Sequence, residues 1–262
     1  MIITLTTDFG LKNSYAGVMK GVILGINPEA KIIDLTHDIS PQHLEEAAVT
    51  IKHSYSFFPK NTIHTIVVDP TVGSTRNIII VKAAAHTFLA PDNGVLHHIF
   101  SLHPDCIVYR IEKKDFFLER ISATFHGRDI FAPCAARLSL GHHPHEFGPQ
   151  ITSWEKGRFP GPRAFDHGIR GRIIMSDRYG NCITNITRAH IPQKAHPLIS
   201  TATHQFNEIK NHYSEAQPGE PLALFGSYGE LELSVRNGSA VKSLNLKPGA
   251  GVQVTWKECD KT

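Results

Sequence analysis

Cysteine is scarce in this chain. Its 262 residues include four, Cys106, Cys134, Cys182 and Cys259, widely spaced and without a Cys-x-x-Cys pair. That argues against a disulfide-stapled secreted scaffold and a thiolate metal frame, and predicts free thiols in a reducing cytoplasm. No apolar run reaches bilayer-spanning length, so no membrane partner is expected. The opening Met1-Ile2-Ile3-Thr4-Leu5 has neither the basic stretch nor the cleavage site of a secretory leader. A dominant charge is missing too. The 27 Lys and Arg against 24 Asp and Glu leave a net charge of +3 with no basic block, which makes no electrostatic case for nucleic acid. G-x-G-x-x-G, the P-loop pattern and H-E-x-x-H are absent, so neither a pyrophosphate cofactor nor a zinc-protease site is expected.

What is present is ordinary globular composition, 41% apolar and 19% charged, enough for one large domain or two smaller ones. The 17 histidines stand out. His97-His98 and His142-His143-Pro144-His145 read as exposed loop and helix-end residues, and no metal site is expected.

The first half repeats one pattern, an Ile/Val-rich run ending in an aspartate and a turn. Ile2 to Thr7 ends at Asp8-Phe9-Gly10, Lys31 to Thr36 near Asp38, Thr62 to Val68 at Asp69-Pro70, and Asn77 to Ala90 at Pro91-Asp92-Asn93-Gly94. Such runs suit strands buried on both faces. Between them, Ser14 to Leu24 reads as a helix whose Gly17, Gly21 and Gly25 share one face, suited to tight packing on a sheet. Pro41 to Phe57 reads as a second helix capped by Ser40. The alternation predicts an α/β N-terminal domain over residues 1–150, with a largely parallel, helix-covered sheet and ligands at the carboxyl ends of its strands.

The breaker-rich stretch 151–168 reads as a linker. Beyond it, short strand-like runs with frequent turns predict a smaller all-β, barrel-like C-terminal domain over 169–262.

Asp69, Arg76 and His126 are the catalytic candidates. An arginine beside a carboxylate keeps it ionised, and a nearby imidazole holds or relays a proton, so together they can orient and deprotonate a water. A structural Asp-Arg pair with an unrelated histidine is the competing reading. Gly127 could admit something small. Asp8, at a strand end, can accept two hydrogen bonds from a ribose diol. Ser176 to Asn185, Ser227-Tyr228-Gly229 and Val235 to Gly238, each taken alone, read more readily as turns than as sites.

These residues carry a resemblance over essentially the whole chain to the adenosine-forming S-adenosylmethionine hydrolases (SAM hydroxide adenosyltransferases), relatives of the 5′-fluorinase and 5′-chlorinase. The motifs are Thr6-Thr7-Asp8-Phe9-Gly10, Asp34-Leu35-Thr36-His37, Ile39-Ser40-Pro41, Val68-Asp69-Pro70-Thr71-Val72-Gly73, Ala90-Pro91-Asp92-Asn93-Gly94, Thr124-Phe125-His126-Gly127-Arg128-Asp129, and Gly180-Asn181 with Thr184-Asn185-Ile186.

The resemblance implies an α/β domain, a β-barrel-like domain, and a homotrimer with sites at subunit interfaces. It implies water attack on S-adenosyl-L-methionine at C5′, giving adenosine and L-methionine, with the substrate as the only small-molecule partner and no cofactor. Asp69, Arg76 and His126 match the water-activating set, and Asp8 the ribose carboxylate. Ser14 and Asp177 match contacts to the methionine portion. Asn181, with the backbone around Arg236 and Gly238, matches the adenine-binding part, and Ser227 lies in a further substrate-binding turn. In the halogenases a tyrosine matches Asp69 and a serine matches Gly127. Tyr228 stands where the fluorinase has a carboxylate-binding arginine, Val72 replaces a threonine of the halide pocket, and Tyr179 and Ile183 replace aromatic residues near the adenosine. The competing functions are a halogenase using chloride, a SAM or adenosine binder without turnover, and a metal hydrolase built on the histidines.

Overall fold

The computed structural model describes residues 1–193 and 195–256. Cys259 lies outside the described residues; Cys106, Cys134 and Cys182 are free thiols. The chain divides into two compact units, Met1–Phe159 and a second beginning at Pro160.

The first unit is built on seven strands: β1 (Ile2–Thr7), β2 (Lys31–Thr36), β3 (Ile63–Val67), β4 (Ile78–Ala83), β5 (His86–Pro91), β6 (Ile107–Arg110) and β7 (Gln150–Ile151), in the order β2-β1-β3-β5-β4-β6-β7. Its helices are α1 (Tyr15–Ile26), α2 (Leu44–Ser54), α3 (His97–Leu102), α4 (Ala132–Ser139) and α5 (Pro144–Phe147). On one face Ile3, Leu5, Ile63, Val67, Ile80 and Leu89 pack with Met19 and Ile23 of α1 and Ala132, Ala135 and Ala136 of α4. On the other, Ile66, Val68, Ile79, Val81 and Phe88 pack with Ala47 and Ile51 of α2 and Ile99 and Phe100 of α3.

The expectation of a largely parallel sheet needs correction. The pairings β1–β2, β1–β3 and β3–β5 are parallel, but β4–β5, β4–β6 and β6–β7 are antiparallel. The sheet is mixed because β4 and β5 are joined by the two-residue turn Ala84-Ala85, at φ of 50° and 61°. A two-residue hairpin obliges antiparallel pairing. Alanine is a poor signal for such a turn, so the sequence hid it.

Two helix expectations also change. Gly17, Gly21 and Gly25 do not press on the sheet; they are exposed, and a Cβ at any of them would meet nothing within 4 Å. Ala16, Met19 and Ile23 form the buried face instead. Helix α2 starts at Leu44, capped by the His43 side chain rather than Ser40. Gln42, at φ 64°, interrupts the expected first turn and donates its N–H to Asp8 Oδ2 at 2.8 Å.

The second unit has nine strands among the described residues: β8 (Arg163–Phe165), β9 (Gly168–Ser176), β10 (Cys182–Thr187), β11 (Pro197–Ser200), β12 (Gln205–Phe206), β13 (Ile209–Lys210), β14 (Pro221–Phe225), β15 (Glu230–Val235) and β16 (Gly251–Trp256), with the short helix α6 (Ala240–Ser243). The order is β12-β11-β16-β9-β10-β15-β14-β13, with β8 on β9; every pairing is antiparallel except β13–β14. Strand β12 also touches β14, so the sheet curls almost into a barrel around Ile173, Ile186, Leu231, Leu233 and Val252. The segment read as a linker is not all connection: Ile151 belongs to β7 of the first sheet and Arg163–Phe165 to the second. Among the described residues no helix is long and apolar enough to cross a membrane.

One polar pair lies inside the first sheet. His64 is fully buried, its Nδ1 2.9 Å from Thr4 Oγ1 and its ring stacked on Phe88 at 5.1 Å. Burial, with neighbouring His86, pushes its pKa down from 6.5 to about 3. The unfolded chain therefore takes up this proton below pH 6.5 while the folded chain resists until about 3, so stability falls as the pH drops through that window. The predicted loss from His64 between pH 7 and pH 5 is about 2 kcal/mol. Urea titrations at both pH values check it: His64→Gln should lower stability at pH 7 and flatten this part of the acid dependence.

Candidate active site

The parallel half of the sheet delivers two carboxylates at one edge. Strands β1 and β3 are neighbours with Thr7 opposite Val67, so Asp8 and Asp69 emerge from the same ends. This is the strand end where parallel sheets hold ligands.

Asp69 opens the loop to β4. Its Oδ1 accepts the Thr71 N–H at 3.3 Å and the Thr71 hydroxyl at 3.1 Å, which folds the chain back on itself. Arg76 closes the loop, its Nε donating to Asp69 Oδ2 at 2.6 Å and its Nη2 pairing with the same oxygen. The two side chains are only 4% and 7% exposed, so the pair is withdrawn from solvent. Arg76 Nη2 also lies 3.0 Å from His126 Nδ1. The three candidates therefore meet, and the reading in which the histidine is unrelated is set aside.

Gly73 brings the two loops together. It sits at φ +82°, and a Cβ there would run into the Ala123 carbonyl oxygen, so the 69–76 loop packs directly on the backbone leading to His126. After His126 the chain enters a π-helical turn, Gly127–Phe131, which runs into α4; such turns are frequent at functional sites.

The imidazole state follows from its partners. Guanidinium has no acceptor, so Arg76 donates and Nδ1 accepts, and a neutral ring then carries its proton on Nε2. Burial first, then the Arg76 charge, push the His126 pKa below 6.5; Asp69, Asp129 and the Ser122 backbone oppose that shift without reversing it. His126 is thus a neutral Nε2–H donor at pH 7.

Asp8 is held by the Gln42 N–H, and its loop by Thr7, whose Oγ1 accepts the Phe9 N–H at 3.3 Å and bonds His37 Nδ1 at 2.8 Å. Phe9 packs on Phe125, ring centroids 5.8 Å apart, which joins the Asp8 loop to the His126 loop. Ser14 is exposed just before α1, with no cap bond from its side chain. The expectation that Gly127 admits a small species needs correction. It is buried, and a Cβ there would lie 3.2 Å from Met19 Sδ, 3.2 Å from Phe125 Cε2 and 3.3 Å from Phe9 Cζ. The chain's own side chains fill the space.

The second unit holds a cavity of about 750 Å³. Asp177, Asn181, Arg236 and Gly238 line it, but Ser227 does not; it is exposed in the β14–β15 turn. Asp177 is engaged with its own turn, accepting from Tyr179 N, Asn181 N and Asn181 Nδ2, each at 2.9 Å. Arg236 donates to the carbonyls of Ser214 (3.2 Å) and Ala216. Tyr213 and Ser239 also line the cavity, and neither stands in a motif that would mark it in the sequence. The Tyr213 hydroxyl donates to buried Glu232 at 2.5 Å; burial and that carboxylate raise its pKa, so the phenol stays protonated. Gly180 marks the wall at φ +84°, where a Cβ would collide with Ser239.

The histidine clusters have local roles. His97 Nδ1 contacts the Lys156 carbonyl at 2.8 Å, His142 pairs with Glu146 at 2.9 Å, and His143 caps α5. Among the described residues no three His, Cys, Asp or Glu side chains converge as metal ligands.

Two measurements probe this geometry. Arg76→Met removes the positive charge beside His126, so the His126 midpoint followed by NMR titration should rise from its depressed position. Gly73→Ala should cost about 1–2 kcal/mol in thermal unfolding, through left-handed strain and the collision with Ala123, and weaken the Arg76–His126 contact.

Residues 3–148 match the SAM hydroxide adenosyltransferase N-terminal domain and residues 171–253 its C-terminal domain. A relative from Thermus thermophilus named (R)-S-adenosyl-L-methionine hydrolase is 32% identical over 255 residues, covering 95% of this chain and 97% of its own. A fluorinase from Actinoplanes sp. is more distant, 26% identical and covering 97% of each chain. The crystal structure of an uncharacterized conserved protein from Thermotoga maritima matches with a TM-score of 0.89 at 33% identity, covering 97% of this chain and 100% of that one. The chain belongs to the SAM hydroxide adenosyltransferase family.

Proposed function

We propose that this protein is a hydrolase that cleaves S-adenosyl-L-methionine at C5′ with water, giving adenosine, L-methionine and a proton. The observation that carries the reading is the shielded Asp69–Arg76 pair in contact with His126.

The sulfonium is cationic and leaves as a neutral thioether, so departure needs neither a general acid nor a metal. The barrier lies in presenting an oxygen nucleophile in line with the C5′–S bond, and orientation in a closed site removes roughly 7–11 kcal/mol at its most favourable. Asp69, fixed by Thr71 and Arg76, accepts the proton of the attacking water. Arg76 balances the carboxylate charge, and His126 offers its Nε2–H to the water oxygen. Asp8 grips the ribose diol. Ser14 and Asp177 serve the methionine portion, and Asn181, Arg236 and Gly238 the adenine. Of the cavity-side assignments, Ser227 has the least support, since it is off the cavity wall. A carboxylate where a halide would sit repels that anion, which favours water over chloride.

The working form is a homotrimer in the cytoplasm, with sites at subunit interfaces. The exposed Gly17/Gly21/Gly25 face of α1, flanked by exposed Val18 and Leu24, supports an assembled state.

Chromatography of purified protein with S-adenosyl-L-methionine, with and without chloride, tests the reaction. Equal adenosine and methionine are expected, unaffected by a chelator. Asp69→Asn should lower kcat by about 10²–10⁴-fold and leave substrate binding largely intact; an active Asp69→Asn removes Asp69 from the base role. Asp8→Ala should act mainly on KM, because the ribose contact exists before and after attack. Chloride-dependent 5′-chloro-5′-deoxyadenosine would instead favour the halogenase. Binding without product would favour the sensor. Light scattering gives the subunit number, and a monomer that turns over substrate overturns the trimer.

A further inference from the structure

The loop that carries His126 has no regular secondary structure from Phe117 to Phe125, so something other than a strand or helix ladder must shape it. One carboxylate does. Asp129 is 0% exposed. Its Oδ2 accepts the Ser122 N–H at 2.8 Å and the Ser122 hydroxyl at 2.7 Å. Its Oδ1 accepts Arg128 Nε at 2.6 Å, and Arg128 Nη2 reaches Oδ2 at 3.2 Å. Ser122 Oγ in turn accepts the Phe125 N–H at 3.0 Å, and the Phe125 carbonyl accepts the N–H groups of Arg128 and Asp129, both at 3.1 Å. The circuit from Asp129 through Ser122 and Phe125 back to Asp129 encloses His126.

Burying a carboxylate is costly even when it is paired, and an apolar side chain would fill the position without that penalty. What the charge adds is direction. It fixes Ser122, one residue before the Ala123 carbonyl on which Gly73 packs, and four before the imidazole. The Ser122 backbone also acts on the His126 ring, and Asp129 is close enough for its charge to be felt there. Asp129 therefore links the shape of the loop to the side of the imidazole that Arg76 meets.

We propose that Asp129 is a positioning residue for His126: by pinning Ser122 it sets the 122–126 loop so that Nδ1 faces Arg76 and the proton stays on Nε2. It touches no reacting atom. The kinetic consequence rests on the hydrolase reading, whereas the structural one does not.

The test uses full-length protein with ¹⁵N-labelled histidine, in wild type, Asp129→Asn and Ser122→Ala, at a temperature where each is folded. In wild type His126 should show a protonated Nε2 and a bare Nδ1. In the variants the two nitrogen shifts should move toward each other as the ring exchanges tautomers. In turnover assays Asp129→Asn should lose up to about 10²-fold in kcat, with KM little changed and Ser122→Ala intermediate. If Asp129→Asn fails to fold, Ser122→Ala, which retains the Arg128–Asp129 pair, carries the test. An unchanged His126 tautomer in a folded variant overturns the proposal, as does an activity loss that only tracks the unfolded fraction. A changed tautomer in a protein whose wild type makes no adenosine leaves the positioning role standing and removes the hydrolase reading.

Discussion

The ion pair between Asp69 and Arg76 is the interaction on which the first unit's site depends. Two charges withdrawn from water together must satisfy one another, because removing either leaves the other stranded at a cost of roughly 3–5 kcal/mol. That constraint dictates the loop between them. Thr71 must turn the chain so that Asp69 faces Arg76, Gly73 must lie where only glycine fits, and the guanidinium that remains must point at His126. The imidazole's tautomer is then a consequence rather than a choice, since an arginine can only donate.

The sheet supplies the ground for this pair. Its parallel half ends in loops that carry Asp8 and Asp69 side by side. Its antiparallel half, begun by the Ala84-Ala85 hairpin, returns β4 beside β5, and β4 follows directly on Arg76 and Asn77. A fully parallel sheet would need a crossover connection at that point, usually of a dozen or more residues, and the ten residues from Val68 to Asn77 are too few for one. The short Asp69–Arg76 loop and the mixed sheet are thus two sides of one topological decision. Asn93 serves it as well: its Nδ2 donates to the Val68 carbonyl at 3.0 Å, fixing the backbone just before Asp69.

Much of the site was legible because its residues stand at strand ends, where an apolar run, an aspartate and a turn residue announce themselves. Asp8 and Asp69 stand out as candidates this way, Arg76 and His126 through the water-activating chemistry they offer beside Asp69, and Asp177, Asn181, Arg236 and Gly238 through motif resemblance. Other features left no local mark. Two alanines in left-handed conformation carry no turn signature, and Gln42 stands outside the helix at positive φ with its N–H on Asp8, a partner 34 residues away. Tyr213 reaches its cavity through Glu232, nineteen residues on. The Gly17/Gly21/Gly25 spacing reads as close packing on the sheet, yet the face is exposed, because periodicity reports only that a face exists, not what it meets.

The sequence by itself determined the element pattern, the two-part organisation, the chemistry-bearing residues and the family. Each is written locally, in spacing, turn chemistry and ordered motifs. Only the tertiary structure decided that Asp69, Arg76 and His126 touch, that Arg76 meets Nδ1, that Gly127 is filled by Met19, Phe9 and Phe125, and that Asp129 braces the loop. Those are contacts between segments distant in the chain or packed within the folded core. They arise from a backbone geometry that only the assembled sheet and its close-packed loops impose.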